Sequence, residues 1–283
     1  MTAHEYQEGR ARVNGLDIHY LEWGKRGNQP LVMVHGLNVT AHTWDPIARR
    51  LAEKYHVIAP DLRGHGESSW SPQGYAVRAF AGDVTGLLGQ MGIGPYYLVG
   101  HSNGVRVSIA IAGENPGQVR RMALSDAGPA TSVEGARFMR DFIARNTNLR
   151  GFRDENEVRE FYVAQHPEWV EEFIDLHVKY QVRRNWAGKL VPKADPDLQW
   201  ITGSVSLPDV EYLWEMSAKA AMPTLYMIGR TSNVLDQPII DRLQQVMPDV
   251  RVEWFETGHY IPREQPKQFT DSLLDFFAEG EQR

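Results

Sequence analysis

The sequence predicts an α/β protein: a mostly parallel central sheet flanked by helices, interrupted once by a mainly helical insertion. Three observations carry this expectation. Short apolar runs of strand length alternate with longer stretches of helical spacing from residue 30 to about 129. The alternation lapses between 130 and 221, where aromatic and charged residues dominate, and it resumes from 222 to the end. No internal repeat or low-complexity linker divides the chain. The expected organisation is therefore a core in two parts, 1–129 and 222–283, with a cap or lid subdomain over 130–221.

Each element follows in order. Arg10 to Val13 and Leu16 to Trp23 are alternating stretches joined by Asn14-Gly15, a strong hairpin signal. Pro30 to Val34 is an apolar strand that ends in His35-Gly36, and Trp44 to Tyr55 has helical spacing. His56 to Arg63 is a further strand, followed by a turn over Gly64 to Ser68, and Tyr75 to Met91 is an amphipathic helix. Tyr96 to Val99 is long enough for a buried strand and too short for a helix. It runs into Gly100-His-Ser-Asn-Gly104, after which Val105 to Ala112 reads as a mostly buried helix. Arg121 to Asp126 forms the next strand, closed by Ala127-Gly-Pro129. Within the insertion, Phe161 to Tyr180 reads as helix and Asn185 to Leu190 as a turn, among aromatics that include Phe138, Trp169, Trp186 and Trp200. The closing elements are a strand at Pro223 to Gly229, a helix from Gln237, a strand at Val250 to Phe255 and a helix at Pro266 to Ala278.

Composition narrows the function classes. The 283 residues are 42% hydrophobic and 23% charged, ordinary for a globular protein. The net charge of −6 supplies no broad positive footprint, so a nucleic-acid partner is not expected. There is no cysteine, which excludes disulfides, thiolate metal sites and a cysteine nucleophile. The first residues are polar and carry no hydrophobic signal segment, and no apolar run approaches 18 residues. A cytoplasmic, cofactor-free and metal-free protein, monomeric or homodimeric and acting on a small molecule, is the expectation.

The pentapeptide at 100–104 fits the G-x-S-x-G pattern that sets a serine on a sharp strand-to-helix turn. Such a turn leaves no room for side chains two residues before and two after the serine, hence Gly100 and Gly104. Ser102 is the candidate nucleophile. A serine hydroxyl is a weak nucleophile and needs a base, itself oriented by a third group. Among the ten histidines, His259 follows the last core strand, at the edge where a parallel sheet gathers its active site.

These residues carry a resemblance. The elbow Gly100–Gly104, the strand end His35-Gly36, the turn Asp61-Leu-Arg-Gly-His-Gly-Glu-Ser68 and Gly258-His259…Glu264-Gln-Pro266 together resemble the α/β-hydrolase superfamily. The match spans 10–129 and 222–280. The resemblance implies an oxyanion hole from the backbone N–H groups of Asn103 and Leu37, with His35 supporting the turn. It also implies a triad acid in the loop after Pro223–Ile228, and there this sequence departs from the common pattern. The position is Ser232, a neutral residue. Two carboxylates remain: Asp236, otherwise a helix N-cap, and Asp126, at the end of the strand after the elbow helix. Some branches place the acid at that strand end, so Asp126 is the expected acid and Asp236 the alternative.

A serine at the elbow, where relatives that open epoxides or displace halide have aspartate, points to acyl transfer to water. The expected activity is hydrolysis of a carboxylic ester or lactone. Amide and carbon–carbon hydrolysis remain alternatives, as does a slow-turnover small-molecule receptor. His42, Trp44, His101, Trp186 and Tyr260 are candidate pocket walls. His166 and His177, near Glu168, Glu171, Glu172 and Asp175, read as a solvated charged face.

Overall fold

A computed structural model describes residues 5–146, 150–198 and 207–281; Trp200 lies outside them. Its central sheet has eight strands: β1 (Gln7–Val13), β2 (Leu16–Trp23), β3 (Pro30–Val34), β4 (His56–Pro60), β5 (Tyr96–His101), β6 (Val119–Ser125), β9 (Thr224–Gly229) and β10 (Val250–Phe255). A separate two-stranded ribbon pairs β7 (Val182–Arg184) with β8 (Leu190–Pro192). The spatial order of the main sheet is β1-β2-β4-β3-β5-β6-β9-β10. β1 and β2 run antiparallel through the Asn14-Gly15 turn, β2 pairs antiparallel with β4, and every later pairing is parallel. Asn14 and Gly15 both have positive φ (50° and 80°), the conformation that a tight hairpin requires.

The parallel strands are apolar at consecutive positions because both faces are buried. Val32, Leu98, Met122, Leu124, Tyr226 and Ile228 enter one core, with α2 (Val77–Gln90), α3 (Asn103–Glu114), α7 (Leu207–Lys219) and α8 (Gln237–Val246). Leu31, Met33, Tyr97, Val99, Ala123, Leu225 and Met227 enter the other, with α1 (Asp45–Leu51) and α10 (Pro266–Ala278). Successive side chains alternate between faces, so two separate cores fall on the two sides of one sheet.

The segment between β6 and β9 carries α4 (Val133–Asn146), α5 (Glu155–Gln165), α6 (Glu171–Tyr180), the ribbon and α7. One continuous helix over 161–180 is not formed. α5 ends at Gln165 because Pro167 has no N–H to donate and bars helical backbone at His166, which has φ −138° and ψ 62°. The reading of His166 and His177 as a solvated face is also corrected, since both are buried. His166 stacks on Trp169 with ring centroids 3.8 Å apart, and the His177 Nδ1–H donates to the Phe173 carbonyl. The packing of α7 also differs from the expected division at 221. It lies on α3, where a Cβ on Gly113 would meet Met216 at 2.7 Å, so it belongs to the helical layer of the sheet.

Candidate active site

The parallel register brings three strand ends to one level. His101 of β5 lies beside Ser125 of β6, and Ser125 lies beside Met227 of β9. Ser102, Asp126 and the Gly229 turn therefore emerge together at the carboxyl edge of the sheet.

Ser102 sits between β5 and α3 with φ 55° and ψ −122°, a conformation that costs a non-glycine residue ~1–3 kcal/mol. The packing around it leaves no alternative. A Cβ at Gly100 would lie 2.4 Å from the Gly104 carbonyl oxygen, and one at Gly104 would lie 2.1 Å from that of Val34. Gly36 lets the loop after β3 approach, since its Cβ would stand 3.0 Å from that of Ser102. His35 fixes the same loop: its Nδ1–H donates to the Gly36 carbonyl and its Nε2 accepts from the Leu62 N–H. This brings the backbone of Gly36 and Leu37 to the edge of the cavity that Ser102 lines.

His259 connects the two strand ends. Its Nε2 is 3.0 Å from Ser102 Oγ and its Nδ1 is 2.8 Å from Asp126 Oδ2. All three side chains are buried. With Asp126 accepting at Nδ1, the imidazole carries its proton there and leaves Nε2 free to accept from the serine. The Asp126 carboxylate also accepts from the Gly229 N–H at 2.9 Å and from the Ser232 hydroxyl. Ser232 thus holds the carboxylate that bonds the histidine. The Asp126 turn, at φ 54°, is pinned further by the Tyr226 hydroxyl donating to the Ala127 carbonyl. Asp236, the alternative acid, is excluded from the cluster. It is exposed and its carboxylate caps α8 at the Ile239 N–H, 3.1 Å away.

The loop carrying His259 is held from below and from its far end. A Cβ at Gly229 would meet the Gly258 carbonyl oxygen at 2.1 Å. Glu264, the last residue of α9 (Ile261–Glu264), accepts from the N–H groups of Gly258 and Tyr260, on either side of the histidine.

A small cavity of about 10 Å³ lies over the serine, lined by Gly36, Leu37, His101, Ser102, Met139, His259, Tyr260 and Arg263. A larger, open one of about 330 Å³ shares His259 and Tyr260 and extends past Phe138 and Ser232. Three of the expected wall residues do not line either cavity. His42 is buried against Tyr180, with ring centroids 3.4 Å apart, and bonds Asp45. Trp44 is core, stacked on Phe269. Trp186 is 99% exposed at the tip of the β7–β8 ribbon, where Asn185 and Gly188 make a tight turn with nothing above it. His101 and Tyr260 do face the serine cavity, and burial, with the neighbouring His259 and the Arg263 guanidinium, holds the His101 imidazole well below its ordinary range.

Sequence reasoning missed Arg263, Glu264 as a loop clamp, and Ser232 as a carboxylate donor. Glu264 stood inside a recognised motif without a role, and a charged residue four places after a histidine gives no local sign of burial.

Comparison with known proteins agrees with this architecture. Residues 29–266 match the family model described as the alpha/beta hydrolase fold. The chain is 27% identical to a soluble epoxide hydrolase of Corynebacterium sp. (strain C12), over 97% of this chain and 98% of that one. It is 28% identical to an N-formylmaleamate deformylase of Pseudomonas putida, over 95% and 93%. The crystal structure of E-2-(acetamidomethylene)succinate hydrolase superposes with a TM-score of 0.87 at 22% identity, covering 97% of this chain and 100% of that one. With its strand order, its elbow and the match over most of its length, the chain belongs to the α/β-hydrolase fold family.

Proposed function

We propose that the protein is a serine hydrolase that cleaves a small carboxylic ester or lactone through an acyl-enzyme. Ser102 attacks the carbonyl carbon while His259 accepts the hydroxyl proton at Nε2. Asp126 stabilises the imidazolium and keeps its orientation. The oxyanion of the tetrahedral intermediate is received by the N–H groups of Leu37 and Asn103, each donor worth ~10²–10³ in rate. Collapse expels the alcohol, which takes the proton from His259. Water then attacks the acyl-serine by the same route in reverse. The observation that carries this reading is the unbroken chain of hydrogen bonds Asp126–His259–Ser102 at 2.8 and 3.0 Å.

Amide hydrolysis is a second reading of the same relay, favoured by the likeness to a protein named for N-formyl removal. The difference lies in the leaving group, since an amine must be protonated by His259 as it departs.

The test is turnover of a short-chain p-nitrophenyl ester and of a short N-formyl amide by wild type, Ser102→Ala, Asp126→Asn and Asp236→Asn, with folding checked by circular dichroism. Ser102→Ala and Asp126→Asn are expected to lose on the order of 10⁴ in kcat, and Asp236→Asn to stay within about threefold of wild type. Undiminished turnover by Ser102→Ala would overturn the mechanism. Faster turnover of the amide than of the ester would select the second reading.

A further inference from the structure

The cavity over Ser102 holds a full positive charge that the hydrogen-bond relay does not use. Arg263 is only 3% exposed and lines that cavity together with Ser102, His259 and Tyr260. Its Nε and one terminal nitrogen lie 3.4 and 3.2 Å from the Thr43 hydroxyl. Its guanidinium lies over the Trp169 and Tyr260 rings, 4.5 and 5.1 Å from their centroids. Among the described residues no carboxylate pairs with it. The adjacent acid, Glu264, is engaged with the backbone N–H groups of Gly258 and Tyr260. The imidazoles nearby, His35, His101 and His177, are held neutral by burial first and by the guanidinium charge in addition.

Burial lowers the Arg263 pKa only to about 10, so the group stays charged at neutral pH. A buried cation without an anion is costly, and proteins ordinarily supply one. This protein does so at Arg63, which is equally buried and forms a two-bonded pair with Asp83 at 2.6 and 2.7 Å. Arg263, by contrast with Arg63, has no such anion among the described residues. A planar guanidinium with donors to spare is suited to a carboxylate, which it binds through two parallel hydrogen bonds.

We propose that Arg263 anchors a carboxylate of the substrate, so that the hydrolase acts on short acyl compounds carrying a free carboxylate, such as half-esters of dicarboxylic acids. The proposal rests on the serine-hydrolase reading above and names the substrate class for it. Arg263 follows His259 by four residues, and the Glu264 clamp on the His259 loop belongs to the same short helix, α9. The anchor and the base are thus fixed relative to one another. The carboxylate sets the distance at which the scissile carbonyl meets Ser102. Because the cavity as it stands holds about one water, admitting such a substrate displaces side chains that line it, such as Met139.

A competing role is that of a structural pin, because the Arg263 carbonyl accepts from the Val170 N–H and its guanidinium packs on Trp169, both from the insertion. The experiment separates the two by a ratio. Hydrolysis of monomethyl glutarate and of methyl pentanoate, which differ by one carboxylate, is followed in a pH-stat for wild type, Arg263→Gln and Arg263→Lys. Wild type is expected to favour the charged ester by roughly tenfold or more in kcat/KM, Arg263→Gln to lose the preference, and Arg263→Lys to keep part of it. A wild-type ratio near one, or the same ratio in wild type and Arg263→Gln, overturns the anchor. Should Arg263→Gln fail to fold, the wild-type ratio and Arg263→Lys decide alone. Thermal unfolding with added glutarate reads binding without turnover: a rise in Tm is expected with Arg263 and none with Gln. If neither ester is cleaved, the ester-hydrolase reading fails, while the glutarate shift still upholds the anchor by its presence or overturns it by its absence.

Discussion

Ser102 is the residue where fold and chemistry conflict. Its φ of 55° is unfavourable for any residue with a Cβ, and the close packing of Gly100, Gly104 and Gly36 holds it there. The strain can be read in isolation by comparing two variants that both lack the hydroxyl. Ser102→Gly is expected to be more stable than Ser102→Ala by about 1 kcal/mol, the reverse of their usual order next to a helix, because only glycine adopts that φ freely. Urea denaturation midpoints with equal slopes are the measurement, and equal stabilities would mean that the turn is unstrained. Asp126 shows the complementary case. Aspartate and asparagine tolerate positive φ, so the Asn variant keeps the turn and removes only the charge.

At the scale of elements, the site depends on how closely α3 and the β3 loop approach β5. Gly104 is the closest point, and a methyl group there would overlap the Val34 carbonyl oxygen. Gly104→Ala is expected to push the helix from the strand, lower stability by about 1–3 kcal/mol and remove at least ~10² of activity by displacing Ser102 from His259. Gly117→Ala is the control: a Cβ there meets nothing within 4 Å, and its effect on stability is expected to stay within about 0.5 kcal/mol. Similar losses at both positions, measured by denaturation and ester turnover, would contradict the packing argument. The insertion is tied to the core by elements too. Lys193 pairs with Glu67 at 2.6 Å and the Tyr75 hydroxyl donates to Asp195.

For the whole molecule, acid is the expected weakness. Burial pushes the His65 imidazole down to about 3, with the neighbouring His35 adding to the shift, and burial lowers His35, His101 and His177 as well. A histidine whose pKa is lower folded than unfolded binds its proton more readily in the unfolded chain. Its contribution is complete above the unfolded value of about 6.5 and is lost progressively as pH falls toward the folded value. Stability is therefore expected to decline from about pH 6.5 downward, by up to ~1.4 kcal/mol per pH unit for each such histidine. Replacing His65 with Gln is expected to flatten the slope of Tm against pH between 6.5 and 4. A slope identical to wild type would show that His65 is not buried neutral.

Much of this architecture was legible beforehand, for local reasons. Consecutive apolar residues identify strands buried on both faces, Asn14-Gly15 identifies a hairpin, and glycines flanking Ser102 identify a turn with no room for side chains. His259 was legible by its place after the last strand. The pocket walls were not, because Trp44 and Trp186 are equally aromatic in sequence while one is core and the other is fully exposed.

By itself, then, the sequence determined the alternation of elements, the strained serine turn and the histidine loop, all of which depend on backbone geometry within a few residues. Tertiary structure alone decided which carboxylate His259 meets. That choice required β6 and β9 to be neighbours, so that Asp126 accepts from Gly229, 103 residues later, while Asp236 caps a helix at the surface. It alone decided that Arg263 is buried beside Ser102 with no carboxylate partner among the described residues. An arginine's exposure is set by what folds over it, and here that cover is the aromatic insertion.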